Sequence, residues 1–221
     1  MRGAKVVEVS GEVVAMEVHF RGLAGLRIEL VTRRRSYDLE SALAGRHQAW
    51  NIATAVVAAE RFAEAGLPPF DRAAIVSGVA RCRWPGRLES IAVPGTATMV
   101  LLDAAHNPDG CAALVAFLDE LDRPYTLLFG ALADKDLPHM LPALAARAQS
   151  VVLTRPNSPR AAEPAALTGL VPAAKNVAVE ARIDAALELA LASESELVVA
   201  CGSIFLIGEL RTQLRGRRGL G

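Results

Sequence analysis

The stretch MVLLDAAHNPDG, residues 99–110, runs an apolar segment straight into an acid, a histidine, an asparagine, a proline and a glycine. A short apolar run bounded by turn residues reads as a strand buried on both faces, the kind found in parallel sheets. Ligands of open parallel sheets sit beyond the carboxyl ends of the strands. Asp103 closes this strand and a helix begins near Gly110. A carboxylate, the His106 imidazole and the Asn107 carboxamide therefore share one rim with a helix N-terminus behind them. Asp and Asn ahead of a helix also serve as plain caps, and Asn-Pro opens ordinary turns. The loop by itself leaves a ligand site and a capped turn both open.

Downstream, the same alternation repeats: a helix over 110–122, strand YTLLFG, a helix over 138–149, strand SVVLT, a Pro/Ala-rich stretch, strand NVAVE, a helix over 182–193, strand ELVVAC and a final helix from about Ser203. Apolar strands separated by helices predict a mostly parallel sheet covered on both faces. Just upstream, RLESIAV and ATMVLLD flank Pro94-Gly95 and predict an antiparallel hairpin. Before that the character differs. KVVEV, EVVAMEVHF and GLRIELVT read as strands, the first two joined by a Ser10-Gly11 turn. RHQAWNIATAVVAAERFAEAG then has helical spacing and stops at Gly66, and Asp71 is placed to cap a second helix. The change falls around RCRWPGR. The fold class is therefore α/β: a Rossmann-like, mostly parallel sheet with an antiparallel hairpin over 83–221, preceded by a small α+β piece over 1–82.

Composition excludes several classes of function. Of 221 residues, 52% are hydrophobic, and 24 basic side chains balance 24 acidic ones, so no global field points to nucleic acid. No run reaches the ~18 apolar residues of a membrane span. The opening residues lack the apolar core of a signal peptide. The three cysteines, Cys82, Cys111 and Cys201, form no CxxC pair, which argues against a zinc site or disulfide framework. A cytoplasmic setting follows by elimination. The basic ending RTQLRGRRGLG reads as a short solvated terminus.

Five motifs occur in one order: GRHQAWNIATAVVAAE at 45–60, WPGRLE at 84–89, LLDAAHNPDG at 101–110, LFGALADKD at 128–136 and CGSIFLIGEL at 201–210. Together they resemble the folylpolyglutamate synthase/dihydrofolate synthase family, a branch of the Mur-ligase-like amide ligases. The resemblance implies an ATP-dependent ligase that phosphorylates the carboxylate of a folate or dihydropteroate and lets the amine of L-glutamate displace the phosphate. It implies that 1–82 is the end of a central ATPase domain and 83–221 the C-terminal glutamate ligase domain. By the same resemblance Asn51 meets the adenine end of ATP, Arg87 the phosphates and Asp103 the ribose side. His106 stands where acyl phosphate and glutamate meet, and Ser203 is a weaker candidate for the glutamate pocket. His47 reads as a cap or buried hydrogen-bonding group, His139 as a helix start, and the Asp134-Lys135-Asp136 loop as a charged, solvated loop by default, although its position at a strand end favours the active-site rim. Ala104 replaces the glycine usual in the family, which suits an extended backbone but not a positive φ.

The resemblance also sets a limit. No G-x-x-x-x-G-K-[ST] phosphate loop occurs in the sequence, and the family's Mg2+ ligands lie upstream of the region covered. The expectation is half an enzyme, inactive alone, from a truncated gene, a split enzyme or a longer chain. Residues 1–80, with Trp50, Ile52 and Val56, should expose an apolar face to an N-terminal-half partner or a second copy. The alternatives are a non-catalytic nucleotide- or partner-binding module of the same fold, and a fragment of a cell-wall Mur ligase.

Overall fold

The computed structural model describes residues 6–62, 69–173 and 175–218, and the chain divides into two compact units, 1–84 and 85–221. In the first, β1 (Val13–Phe20), β2 (Leu26–Thr32) and β3 (Ser36–Ser41) form an antiparallel meander in that order. Leu26, Ile28 and Leu30 are wholly buried, while Arg27 and Glu29 between them face solvent. The apolar face is covered by α2 (His47–Arg61) and α3 (Arg72–Arg81) through Ile52, Val56 and Ile75. Each such side chain withdrawn from water contributes about 1.5–3 kcal/mol. Asp71 caps α3 by accepting the Ala74 amide at 2.6 Å.

Three expectations for this unit need correction or restriction. Residues 6–8 have no regular structure and Val9–Glu12 make a single helical turn, α1, where the continuation of KVVEV into a Ser10-Gly11 turn was expected. Helical geometry there places Glu12 against Arg61 at 2.6 Å, a half-buried pair. Ile52 and Val56 are 5% and 1% exposed because they fill the core against β2, so among the described residues the outward large apolar side chains of this unit are Val6, Val14, Trp50, Phe62, Phe70 and Trp84. Gly66 lies outside the described residues.

In the second unit, β4 (Glu89–Ala92), β5 (Met99–Leu102), β6 (Thr126–Phe129), β7 (Ser150–Leu153), β8 (Asn176–Val179) and β9 (Leu197–Cys201) form one sheet in the order β4-β5-β9-β6-β7-β8. Only β4 runs antiparallel to its neighbour. Side chains alternate between faces. Val100, Leu102, Leu128, Val152, Val198 and Ala200 pack on α6 (Ile183–Leu191) and α7 (Ile204–Arg218). By alternation, Leu101, Leu127, Phe129 and Leu153, all wholly buried, face the other layer. That layer holds the mutually packed α4 (Pro108–Leu121) and α5 (Leu137–Ala146).

The last strand in sequence, β9, inserts between β5 and β6, so the chain reverses direction across the sheet beside β5. That is the switch point where open α/β sheets bind ligands. The basic ending is a correction too. It continues α7 to Arg218, because Arg211 and Arg215 pair with Glu89, and Arg217 with Glu188.

Candidate functional site

At the switch point, backbone bonds continue beyond the strand ends. The Asp103 amide reaches the Ala200 carbonyl (3.0 Å), Ala104 reaches Gly86 (2.8 Å) and Gly202 reaches Ala105 (2.9 Å). Gly202 has φ +110°, and a Cβ there would lie 2.8 Å from the Gly130 carbonyl oxygen. Only glycine lets the three loops stack this closely. Ala104 is not among the residues with positive φ, so its methyl is accommodated without strain.

Asp103, 7% exposed, spends both carboxylate oxygens on this rim. Oδ1 accepts the Ala105 amide and Oδ2 the Leu88 amide, both at 2.9 Å. The second bond joins the end of β5 to the turn that carries Arg87. That turn is unusual in having positive φ at Gly86 (+69°) and at Leu88 (+47°). Its other side is held by Glu89, whose Oε2 accepts the Gly86 amide at 2.9 Å. Glu89 is itself engaged by Arg211 at 2.8 Å, so Arg87 does not need it as a partner. Among the described residues the exposed Arg87 guanidinium makes no hydrogen bond or ion pair.

His106 is half-buried, and its Nδ1 lies 2.9 Å from the Ala104 carbonyl. A carbonyl can only accept, so Nδ1 carries a proton, and in the neutral tautomer the lone pair is on Nε2. Asn107 caps α4 by accepting the Gly110 amide at 2.8 Å, so the capping reading of the loop holds for Asn107. Ser203, 2% exposed at the end of β9, accepts the Phe205 amide at 3.2 Å and opens α7.

The next strand end adds a residue that the sequence reading left as a solvated loop. Lys135 follows β6, is half-buried, and makes no hydrogen bond or ion pair among the described residues through its ammonium. The loop holding it is pinned to the loop after β7 by an Ala133-to-Arg160 backbone bond of 2.8 Å and an Arg160–Asp134 ion pair of 2.6 Å. His106, Ser203 and Lys135 therefore follow three neighbouring strands, β5, β9 and β6. The available signal was positional: a lone cation at a strand end, flanked by acids that find other partners.

In the first unit, Asn51 is exposed on the first turns of α2 and donates to Gln48 Oε1 at 2.9 Å, while Gln48 meets His47 Nε2 at 3.2 Å. Among the described residues no group of three or more His, Cys, Asp or Glu side chains could hold a metal ion. All three cysteines are free thiols; Cys82 is exposed and Cys111 and Cys201 are buried.

Residues 86–204 match the family described as Mur ligase, glutamate ligase domain. The folylpolyglutamate synthase of Lacticaseibacillus casei is 33% identical over 189 residues, 82% of this chain and 42% of that protein. The dihydrofolate synthase/folylpolyglutamate synthase of Bacillus subtilis is 26% identical over 196 residues, covering 87% and 45%. Among solved structures, the Mycobacterium tuberculosis folylpolyglutamate synthase complexed with ADP matches with a TM-score of 0.76 and 28% identity, over 91% of this chain and 47% of that one. The chain thus spans less than half the length of these relatives.

Proposed function

Because the chain belongs to the Mur ligase glutamate ligase domain family, we propose that it forms the C-terminal part of an ATP-dependent ligase that adds L-glutamate to a folate or dihydropteroate. Residues 1–82 would then be the end of the central ATPase domain and 83–221 the glutamate ligase domain. The observation that carries this reading is the exposed Arg87, without a hydrogen bond or ion pair among the described residues, on a turn bound to Asp103 at a switch-point rim. A planar guanidinium without a local carboxylate suits a polyphosphate.

ATP supplies the phosphoryl group that turns a carboxylate into an electrophile. The tasks left to this chain fall to its side chains. Asn51 is assigned to the adenine end, Arg87 to the phosphates and Asp103 to the ribose side. Asp103 accepts two amides, which hold its carboxylate at the rim where a ribose hydroxyl would reach it. His106 presents Nε2 as an acceptor, which suits an N–H of the glutamate amine better than an anionic oxygen. Its role is to aim the nucleophile at the acyl carbon. Lys135 offers a cation for a glutamate carboxylate, and Ser203 retains its hydroxyl proton for the same group. Holding three substrates in line contributes roughly 7–11 kcal/mol to such a reaction. The chemistry assigned to this chain runs through Arg87, His106 and Lys135. The outward Val14, Trp50 and Phe70 offer a surface for a half that carries a phosphate loop.

The test is complementation. The chain is mixed with the phosphate-loop half of a relative, and glutamate-dependent ADP release is measured with a reduced folate. Restored turnover that falls by about 100-fold or more in Arg87→Ala and His106→Ala supports the assignment. Turnover indifferent to both changes rejects it.

A further inference from the structure

The turn that presents Arg87 is built from backbone angles it would not adopt unaided. Leu88 at φ +47° is a side-chain-bearing residue in the left-handed region, which costs on the order of 1 kcal/mol. Two carboxylates hold it there, Asp103 through the Leu88 amide and Glu89 through the Gly86 amide. Asp103 directly follows the neighbouring strand β5, and its amide is fixed to the Ala200 carbonyl of β9. Glu89 is not fixed in the same way, because it opens β4, which stands at the edge of the sheet beside β5 among the described residues. What fixes it comes from far along the chain. Arg211 on α7 donates through Nε to both oxygens of Glu89, at 3.0 and 2.8 Å, and Arg215 adds a contact at 3.4 Å. The pair is largely shielded, with Glu89 18% and Arg211 25% exposed at the side chain. The same helix presses on the turn from beneath: a Cβ on Gly86 would lie 2.9 Å from Ile207 Cγ2.

We propose that Arg211 is a positioning residue for polyphosphate binding, acting through Glu89 to hold the turn that aims Arg87. Arg211 does not touch the ligand. Its charge is consumed by Glu89, which leaves Arg87 as the turn's uncommitted guanidinium. The C-terminal helix thereby becomes part of the phosphate site although no residue of it faces the phosphates. The inference rests on the assignment of Arg87 to the phosphates, and the experiment separates the two.

Inorganic tripolyphosphate and, separately, adenosine are titrated into the isotope-labelled full chain, and amide exchange at Gly86 is followed without ligand. The variants are Arg87→Ala, Arg211→Met, Glu89→Gln and the double variant Arg87→Ala/Arg211→Met. Glu89→Gln keeps an acceptor for the Gly86 amide, so it preserves the fold if Arg211→Met does not. Arg211→Met is expected to weaken tripolyphosphate binding by about threefold to tenfold and to add nothing in the Arg87→Ala background. Gly86 exchange should rise by about tenfold while adenosine shifts stay as they are. Equal loss of both probes, or full additivity in the double variant, reduces Arg211 to a fold-stabilising residue and overturns the proposal. Undiminished tripolyphosphate affinity in Arg211→Met and Glu89→Gln, with a loss in Arg87→Ala, overturns it as well and leaves the phosphate assignment standing. No binding at all, or binding insensitive to Arg87→Ala, overturns the phosphate assignment and the proposal together.

Discussion

At the amino ends of β6 and β7, the Thr126 hydroxyl meets those of Ser150 (2.9 Å), Ser193 (2.8 Å) and Ser195 (3.2 Å), and Ser195 donates to Gln149 Oε1 at 2.6 Å. At the carboxyl ends of β5, β9 and β6, by contrast, Arg87 and Lys135 make no hydrogen bond or ion pair among the described residues. The His106 ring gives only Nδ1 to the backbone. Both ends are rich in polar groups, and a count of them would not tell one end from the other. The difference lies in capacity left over. One end pairs its buried hydroxyls with one another, which ties the strand starts together. The other spends Asp103, Asn107 and Glu89 on the scaffold and keeps a guanidinium, an ammonium and an imidazole nitrogen in reserve.

The contrast is broken most severely at Asp103. Asp103→Ala leaves the buried amides of Leu88 and Ala105 without acceptors, each costing about 1–3 kcal/mol. Denaturant unfolding should show a loss of about 3 kcal/mol with the slope unchanged. A loss below about 1 kcal/mol would mean that water or a relaxed turn replaces the carboxylate, and the rim would not be the rigid frame inferred above.

A second consequence appears on the pH axis. Burial, and then the charge of Asp103, pushes the Cys111 thiol up to about 12, whereas an unfolded thiol ionises near 8.5. A group raised in the folded state contributes stability in full below its unfolded value and loses it as pH rises through the folded one. Stability should therefore fall from about pH 8.5 toward 12 with a slope of at most about 1.4 kcal/mol per pH unit from this group. In Cys111→Ala the fall should be shallower by that amount. Equal slopes in the two proteins would show that Cys111 ionises freely in the fold.

How much of this was legible beforehand varies with the range of the interaction. Apolar runs ending in Asp103, Gly130 and Cys201 announced their strands because burial on both faces is written locally. Pro94-Gly95 announced the hairpin for the same reason. The insertion of β9 between β5 and β6 was not legible, since nothing local in LVVAC says which neighbours it will pair with. The Arg211–Glu89 pair spans 122 residues, so the basic ending looked solvated when it was in fact committed. α1 reads as strand because Val6, Val7 and Val9 have strand propensity, while the groups that hold the helical turn, Arg61 on the Glu12 carboxylate and the Arg33 amide on the Glu12 carbonyl, are distant in sequence. Of the site residues, Arg87, Asp103 and His106 fall on one rim. Lys135 was passed over because a charged loop is the ordinary explanation until its neighbours Asp134 and Asp136 are seen paired with Arg160 and His139.

The closed end should respond to substitution in stability alone. Thr126, 0% exposed, is the hub of its hydroxyl network. Thr126→Val removes the hub without changing shape, leaving three serine hydroxyls to re-pair among themselves. The expected cost is about 1–2 kcal/mol in chemical denaturation. Complemented turnover should keep its KM for ATP and glutamate. A shift in either KM would couple the two ends and erase the distinction between them.

The smallest effect runs the other way. Asp122 ends α4 with φ +48° and ψ +46°, the left-handed position that commonly closes a helix. An aspartate pays there for its Cβ, and its charge faces the negative end of the helix dipole. It is exposed, so no packing is lost when it is replaced. Asp122→Gly relieves the steric cost and the charge repulsion together, against the greater freedom glycine brings to the unfolded chain. The first two effects outweigh the third by about 0.5–1 kcal/mol, since left-handed geometry disfavours an ordinary side chain by roughly 1–2 kcal/mol. The variant should therefore melt a few degrees higher, with tripolyphosphate affinity unchanged. A lower melting temperature would mean that the Asp122 carboxylate holds a partner in solution strong enough to reverse the balance, and this end of the sheet would then keep capacity in reserve as well.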